Sequence, residues 1–159
     1  MKRSRLVVAA LTVLVAATLA GCTPVVAMDP AEDSNNPQCA DVIVRLPQEL
    51  QGQARRETNA QATGAWGDPT SILLRCGVEV PAASTLQCVD VGGVSWLWDD
   101  SDAPTYTFRT FGREPAIDVA LDRDVVAPEA VLDDLSRLID FTTPNGLSCS
   151  GDEEEQLPE

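Results

Sequence analysis

Cysteine placement constrains this chain more than any other feature. Cys39, Cys76, Cys88 and Cys149 are widely spread, an even set with no Cys-x-x-Cys spacing among them. That pattern suggests neither a zinc ribbon nor a thioredoxin-like redox pair, and in an exported chain it reads as structural disulfides. Four cysteines allow three pairings. The expected pairing joins Cys39 to Cys76 and Cys88 to Cys149. Cys39 opens one expected strand and Cys76 closes another, so antiparallel neighbours would bring them together, while Cys149 would pin the tail after an expected helix to Cys88.

The fifth cysteine belongs to a different pattern. Lys2, Arg3, Ser4 and Arg5 form a positive start, and an uncharged apolar run follows over residues 6–20. That run has the length of a signal-peptide apolar region and is short of the ~20 residues needed to span a bilayer. It ends in Leu19-Ala20-Gly21-Cys22, which resembles the lipobox of bacterial lipoproteins. The resemblance implies removal of residues 1–21 and a thioether-linked diacylglyceryl group on Cys22. Each buried methylene contributes ~0.8 kcal/mol, so two acyl chains anchor stably where one would bind reversibly. The expectation is a lipid-anchored protein on the outer face of the cytoplasmic membrane.

Cleavage also changes the charge. Lys2, Arg3 and Arg5 leave, so 8 basic residues remain against 25 acidic ones, a net charge of −17. Such a field repels phosphate backbones and argues against a nucleic-acid partner. The residue inventory excludes more chemistry: there is no His, and Lys2 is the only Lys. Ser-His-Asp and Cys-His catalysis, Ser-Lys dyads, Schiff-base chemistry and His-ligated zinc are all ruled out. Two-carboxylate glycoside hydrolysis is not. No cofactor and no metal site is expected.

Along the chain, residues 22–37 read as the acylated cysteine and a flexible tether, rich in Pro, Asp, Asn and Ser without periodicity. Residues 38–149 form one expected domain, and residues 150–159, with Asp152-Glu153-Glu154-Glu155, an acidic disordered tail. Strands are expected over 41–46, 71–76, 86–91, 94–98, 106–111 and 116–121, with a polar edge strand over 55–58. Gly92-Gly93 suits a two-residue hairpin turn. Ile117, Val119 and Leu121 alternate with Asp118, Ala120 and Asp122. One helix starts at Pro128, with Val131, Leu132, Leu135 and Leu138 on one stripe and Arg137 near its C-terminal end. The fold class is therefore α+β, a mostly antiparallel sheet with one C-terminal helix packed on it, stapled by disulfides.

Several segments in order resemble an actinobacterial lipoprotein family with a domain of unknown function numbered thirty-five fifteen. They are Arg45-Leu46-Pro47, Arg55-Arg56, Trp66-Gly67-Asp68-Pro69, Leu74-Arg75-Cys76-Gly77-Val78 with Pro81, Val94-Ser95-Trp96, and Gly112-Arg113 with Pro115. The resemblance implies a cell-envelope address and supplies no mechanism.

Four residues are the candidates for ligand binding: Trp66, Asp68, Arg75 and Arg113. Trp66 offers a flat face and Asp68 an acceptor, yet turn chemistry alone explains Gly67, Asp68 and Pro69, with Trp66 covering the core edge. Arg75 and Arg113 suit an anionic ligand, although pairing with local Asp or Glu is the stronger expectation. Trp96 and Trp98 share a strand face and suggest an aromatic platform, with Trp96 expected in the core. Asp99-Asp100-Ser101-Asp102 lacks the order of an EF-hand and reads as a hairpin connection ending at Pro104. The resulting expectation is a non-enzymatic envelope module that binds another envelope protein or a cell-wall component. The alternative is a carboxylate-dependent cell-wall glycan hydrolase.

Overall fold

A computed structural model describes residues 24–82 and 84–149. Ten strands and two helices follow in the order α1 (Pro37–Ile43), β1 (Glu49–Leu50), β2 (Gln53–Arg56), β3 (Thr63–Trp66), β4 (Ile72–Val78), β5 (Gln87–Val91), β6 (Val94–Asp99), β7 (Thr105–Phe111), β8 (Arg113–Glu114), β9 (Ala116–Asp122), α2 (Pro128–Ile139) and β10 (Thr143–Pro144). Eight strands make one sheet in the order β1-β2-β3-β4-β9-β7-β6-β5, and β8 pairs separately with β10. All these strand pairs are antiparallel.

The alternation written into β9 decides which face is core. Ile117, Val119 and Leu121 join Ile72, Leu74 and Cys76 of β4 and Val94 and Trp96 of β6 in one apolar cluster. Helix α2 adds Val131, Leu132, Leu135 and Ile139 to it. Pro128 at the first turn, Glu129 beside it and Arg137 in the last turn agree with the backbone geometry and dipole of this helix. Ser136 Oγ donates to Val91 O at 2.8 Å, tying α2 to the end of β5. The Gly92-Gly93 hairpin forms as expected, both residues at positive φ (59° and 79°), the signature of a primed two-residue turn.

The expected strand over 41–46 is instead the end of a helix, at Ile43, followed by a turn. Val42, Ile43 and Val44 favour extended backbone in isolation, but Asn36 and Pro37 precede them. Asn36 Oδ1 accepts from Gln38 N at 3.0 Å and Pro37 stands at the first helical turn. The cap therefore overrides side-chain preference, and α1 buries Cys39 and Val42. The disulfides join Cys39 to Cys76 and Cys88 to Cys149. The first bridge thus runs from a helix to a strand, not between the two strands expected.

A second correction concerns residues 24–36, expected as part of a flexible tether. Pro24 O accepts from Arg56 Nη2 at 2.8 Å, and Val26 N donates to Glu57 O at 2.8 Å. Asn59 N returns a bond to Val26 O at 3.3 Å, and Asp33 N donates to Gly77 O at 2.9 Å. This stretch is a strap that starts at the end of β2 and crosses the sheet to β4. Gly77 permits the close approach: its φ is 90°, and a Cβ there would sit 2.3 Å from Asp33 O.

Candidate functional site

The four residues singled out by sequence do not meet. Trp66 closes β3 fully buried, its Nε1 donating to Pro47 O at 3.0 Å, so its ring belongs to the core. Asp68 is exposed and faces Arg56 Nη1 at 3.3 Å. Arg113 Nη2 donates to Asp140 Oδ1 at 3.0 Å and its Nη1 to Thr142 O at 3.3 Å. Arg75 alone lines a cavity, one of 280 Å³ between the strap and the uncovered sheet face.

That cavity is compensated in charge. Strand register sets Arg75 and Arg109 on either side of Asp118. Arg109 binds both carboxylate oxygens, at 2.6 and 2.9 Å, while Arg75 adds one contact at 3.3 Å. The bonds to Asp118 hold the Arg109 guanidinium above its ordinary pKa, and the Glu79 charge acts the same way. Asp29 lines the cavity as well. Two guanidiniums facing three carboxylates leave no surplus positive charge for an anion, so this cluster stitches three strands together. In the β6–β7 connection, Asp99 Oδ1 accepts from Ser101 N at 2.9 Å, which holds its carboxyl below the ordinary range. Among the described residues no group of three His, Cys, Asp or Glu is placed to hold a metal ion.

A larger groove, 620 Å³, opens where α2 begins and the far end of the sheet runs past it. Trp98, Tyr106 and Phe108 form its floor, Val89 and Val91 of β5 one wall, and Pro128 and Leu132 of α2 the other. Register assembles the floor: Trp98 lies opposite Phe108 on the neighbouring strand. The Trp98 and Phe108 rings stack with centroids 6.3 Å apart and planes 15° from parallel, and Tyr106 leans on Trp98 at 5.6 Å. Arg123 lies over the Tyr106 ring, 5.2 Å from its centroid, and donates to the phenol oxygen. A second hollow of 450 Å³ adjoins it, lined by Asp90, Glu129 and Asp133 along the β5 margin. Sequence alternation placed Trp98 on a shared face with Trp96, and the structure keeps them there at different depths: Trp96 is fully buried and Trp98 is partly open. Tyr106, Phe108 and Arg123 were missed, because only strand register reveals that they converge.

The chain matches the family model described as "Protein of unknown function (DUF3515)" over residues 5–147. It belongs to that family. No curated protein and no solved structure matches it. The family span takes in the strap, the arginine cluster and every groove residue, and it stops two positions before Cys149. The family's description assigns no chemistry, so any role must be argued from the geometry.

Proposed function

We propose that the chain is an extracytoplasmic lipoprotein, held to the membrane by acyl chains on Cys22, whose domain is a non-enzymatic binding module. Its groove takes an extended segment of another envelope protein. The address rests on the positive start, the apolar run over 6–20 and Leu19-Ala20-Gly21-Cys22. Among the described residues no helix is long and apolar enough to cross a membrane.

The observation that carries the binding reading is a groove running beside an edge strand. β5 ends the sheet order, so among the described residues one side of its backbone has no strand partner. An added strand would bond to that side and send alternate apolar side chains over Val89, Val91 and the aromatic floor. Glu129 and Asp133 of α2 border the groove in a domain of strong negative charge, which favours a segment that also carries basic residues.

One observation bears on the hydrolase alternative. Asp90 and Glu129 both line the groove, and such chemistry needs two facing carboxylates. The Asp90 carboxylate, however, accepts from Ser95 Oγ, and the register sets that pair on the sheet face opposite the groove. Glu129 then has no facing carboxylate in the groove, which favours binding over hydrolysis.

Photocrosslinking in intact cells tests this reading. A photoreactive residue replacing Glu129 should capture a discrete protein, and Trp98→Ala in the same chain should abolish capture. Equal capture from Gln61, at the other end of the sheet, would remove the groove from the explanation. New reducing ends in purified cell-wall glycan, lost in Glu129→Gln, would establish the hydrolase instead.

A further inference from the structure

We infer that the domain stands edge-on to the bilayer, its β1–β2 side against the lipid surface and its groove at the far end of the sheet. This rests on Cys22 being the anchor. The strap fixes where the anchor meets the body, since Pro24 O is held by Arg56 and Val26 is paired to Thr58. One residue, Thr23, separates Cys22 from Pro24, so at ~3.6 Å per residue the acylated cysteine lies within about 7 Å of the strap. A flexible tether of the expected length would have left orientation free. A strap bonded into the β2 end does not.

Strand order then sets the height of the groove. From β2 the sheet steps through β3, β4, β9, β7 and β6 to β5. Six steps of ~4.8 Å amount to about 29 Å of sheet between the anchored margin and the edge strand that borders the groove. Charge opposes the domain lying flat. The end of β6 and the loop after it carry Asp99, Asp100 and Asp102, and α2 carries Asp133 and Asp134. Leaning over would bring these carboxylates within the ~8 Å Debye length of anionic headgroups. The partner class follows: a segment presented from the space beyond the bilayer, not a lipid or a membrane-embedded surface.

The test uses full-length lipidated protein in phosphatidylethanolamine–phosphatidylglycerol vesicles with nitroxide-labelled headgroups. Mass spectrometry first reads the diacylglyceryl addition on Cys22. Its absence, with protein released from vesicles, would remove the anchor reading and with it this inference. With the lipid present, a fluorescent amino acid at Asn59 should lose its emission to the headgroup quencher, while the same residue at Asp100 should keep it. Equal quenching at the two positions would overturn edge-on standing even with the anchor intact. A twelve-residue Gly-Ser insertion between Thr23 and Pro24 should restore emission at Asn59. Unchanged quenching there would show that the strap does not set the orientation.

Discussion

The two ends of the sheet are built on opposite terms. On the β2 side the strap supplies backbone partners to Glu57 and Asn59, just beyond β2, and to Gly77 of β4, and the Cys39–Cys76 bridge is fully buried. At the β5 end the last strand has no strand partner outside it among the described residues, its bridge is only partly buried, and the groove leaves Trp98 and Tyr106 half-covered. An edge strand is an aggregation hazard unless something covers it or guards it with charge. The β2 side is held by the strap, and the β5 edge carries acidic residues. The difference teaches where the fold spends its hydrogen bonds and where it keeps them available.

The largest test of that contrast removes one bridge at a time. Replacing both Cys39 and Cys76 by Ala should cost about 4 kcal/mol, since the bridge closes 37 positions of sequence and both sulfurs are fully buried. The Cys88–Cys149 bridge closes 61 positions, for which loop entropy alone would give a similar loss. This bridge is only partly buried and packs against less of the core, so Cys88→Ala with Cys149→Ala should shift the urea midpoint clearly less. Equal midpoints would mean that the two bridges stabilise the fold equally, and the contrast would fail.

A smaller effect compares one substitution at both ends. Gly77→Ala meets the strap backbone at positive φ and should cost about 2–3 kcal/mol, read as a fall in Tm. Gly93→Ala has the same backbone sign but nothing within 4 Å, so only the left-handed penalty of about 1 kcal/mol applies. Smaller still is the pair of arginines. Arg56, with its side chain 8% exposed, donates to Pro24 O and Gly67 O, so Arg56→Ala should cost about 1–2 kcal/mol and speed amide exchange at Val26. Arg123 is exposed and stacks on Tyr106, so Arg123→Ala should stay below about 1 kcal/mol.

What the sequence made legible were features whose signal is local. Pro128 and the stripe through Leu135 specify α2, Gly92-Gly93 specifies its hairpin, and the alternation from Ile117 to Leu121 specifies a strand with one core face. The aromatic–polar alternation of β7 was visible too, although its meeting with Trp98 depends on pairing between strands. β3 escaped because Thr63, Gly64, Ala65 and Trp66 are buried on both faces, one by the core and the other on the strap side, leaving no alternation to read. The strap escaped for a related reason. Its bonds at Pro24, Val26 and Asp33 are made by backbone atoms, which every sequence possesses, so Pro, Asp and Asn there resemble a linker. In α1 a two-residue cap, Asn36 and Pro37, outweighed three β-branched or apolar neighbours whose composition pointed the other way.

If Cys22 carries the proposed anchor, the crossbar from Cys39 to Cys76 gives the protein two lengths. While the strap holds, the leash between Cys22 and the strap is then the single residue Thr23. If a partner in the groove pulls hard enough to peel the strap, the chain can pay out only as far as Cys39, whose covalent link to β4 is a mechanical stop. Seventeen residues at ~3.3–3.6 Å each set that limit at about 60 Å, reached without unfolding the sheet. The domain would then work as a retractable arm, short at rest, with its reach under tension fixed by where the first cysteine falls.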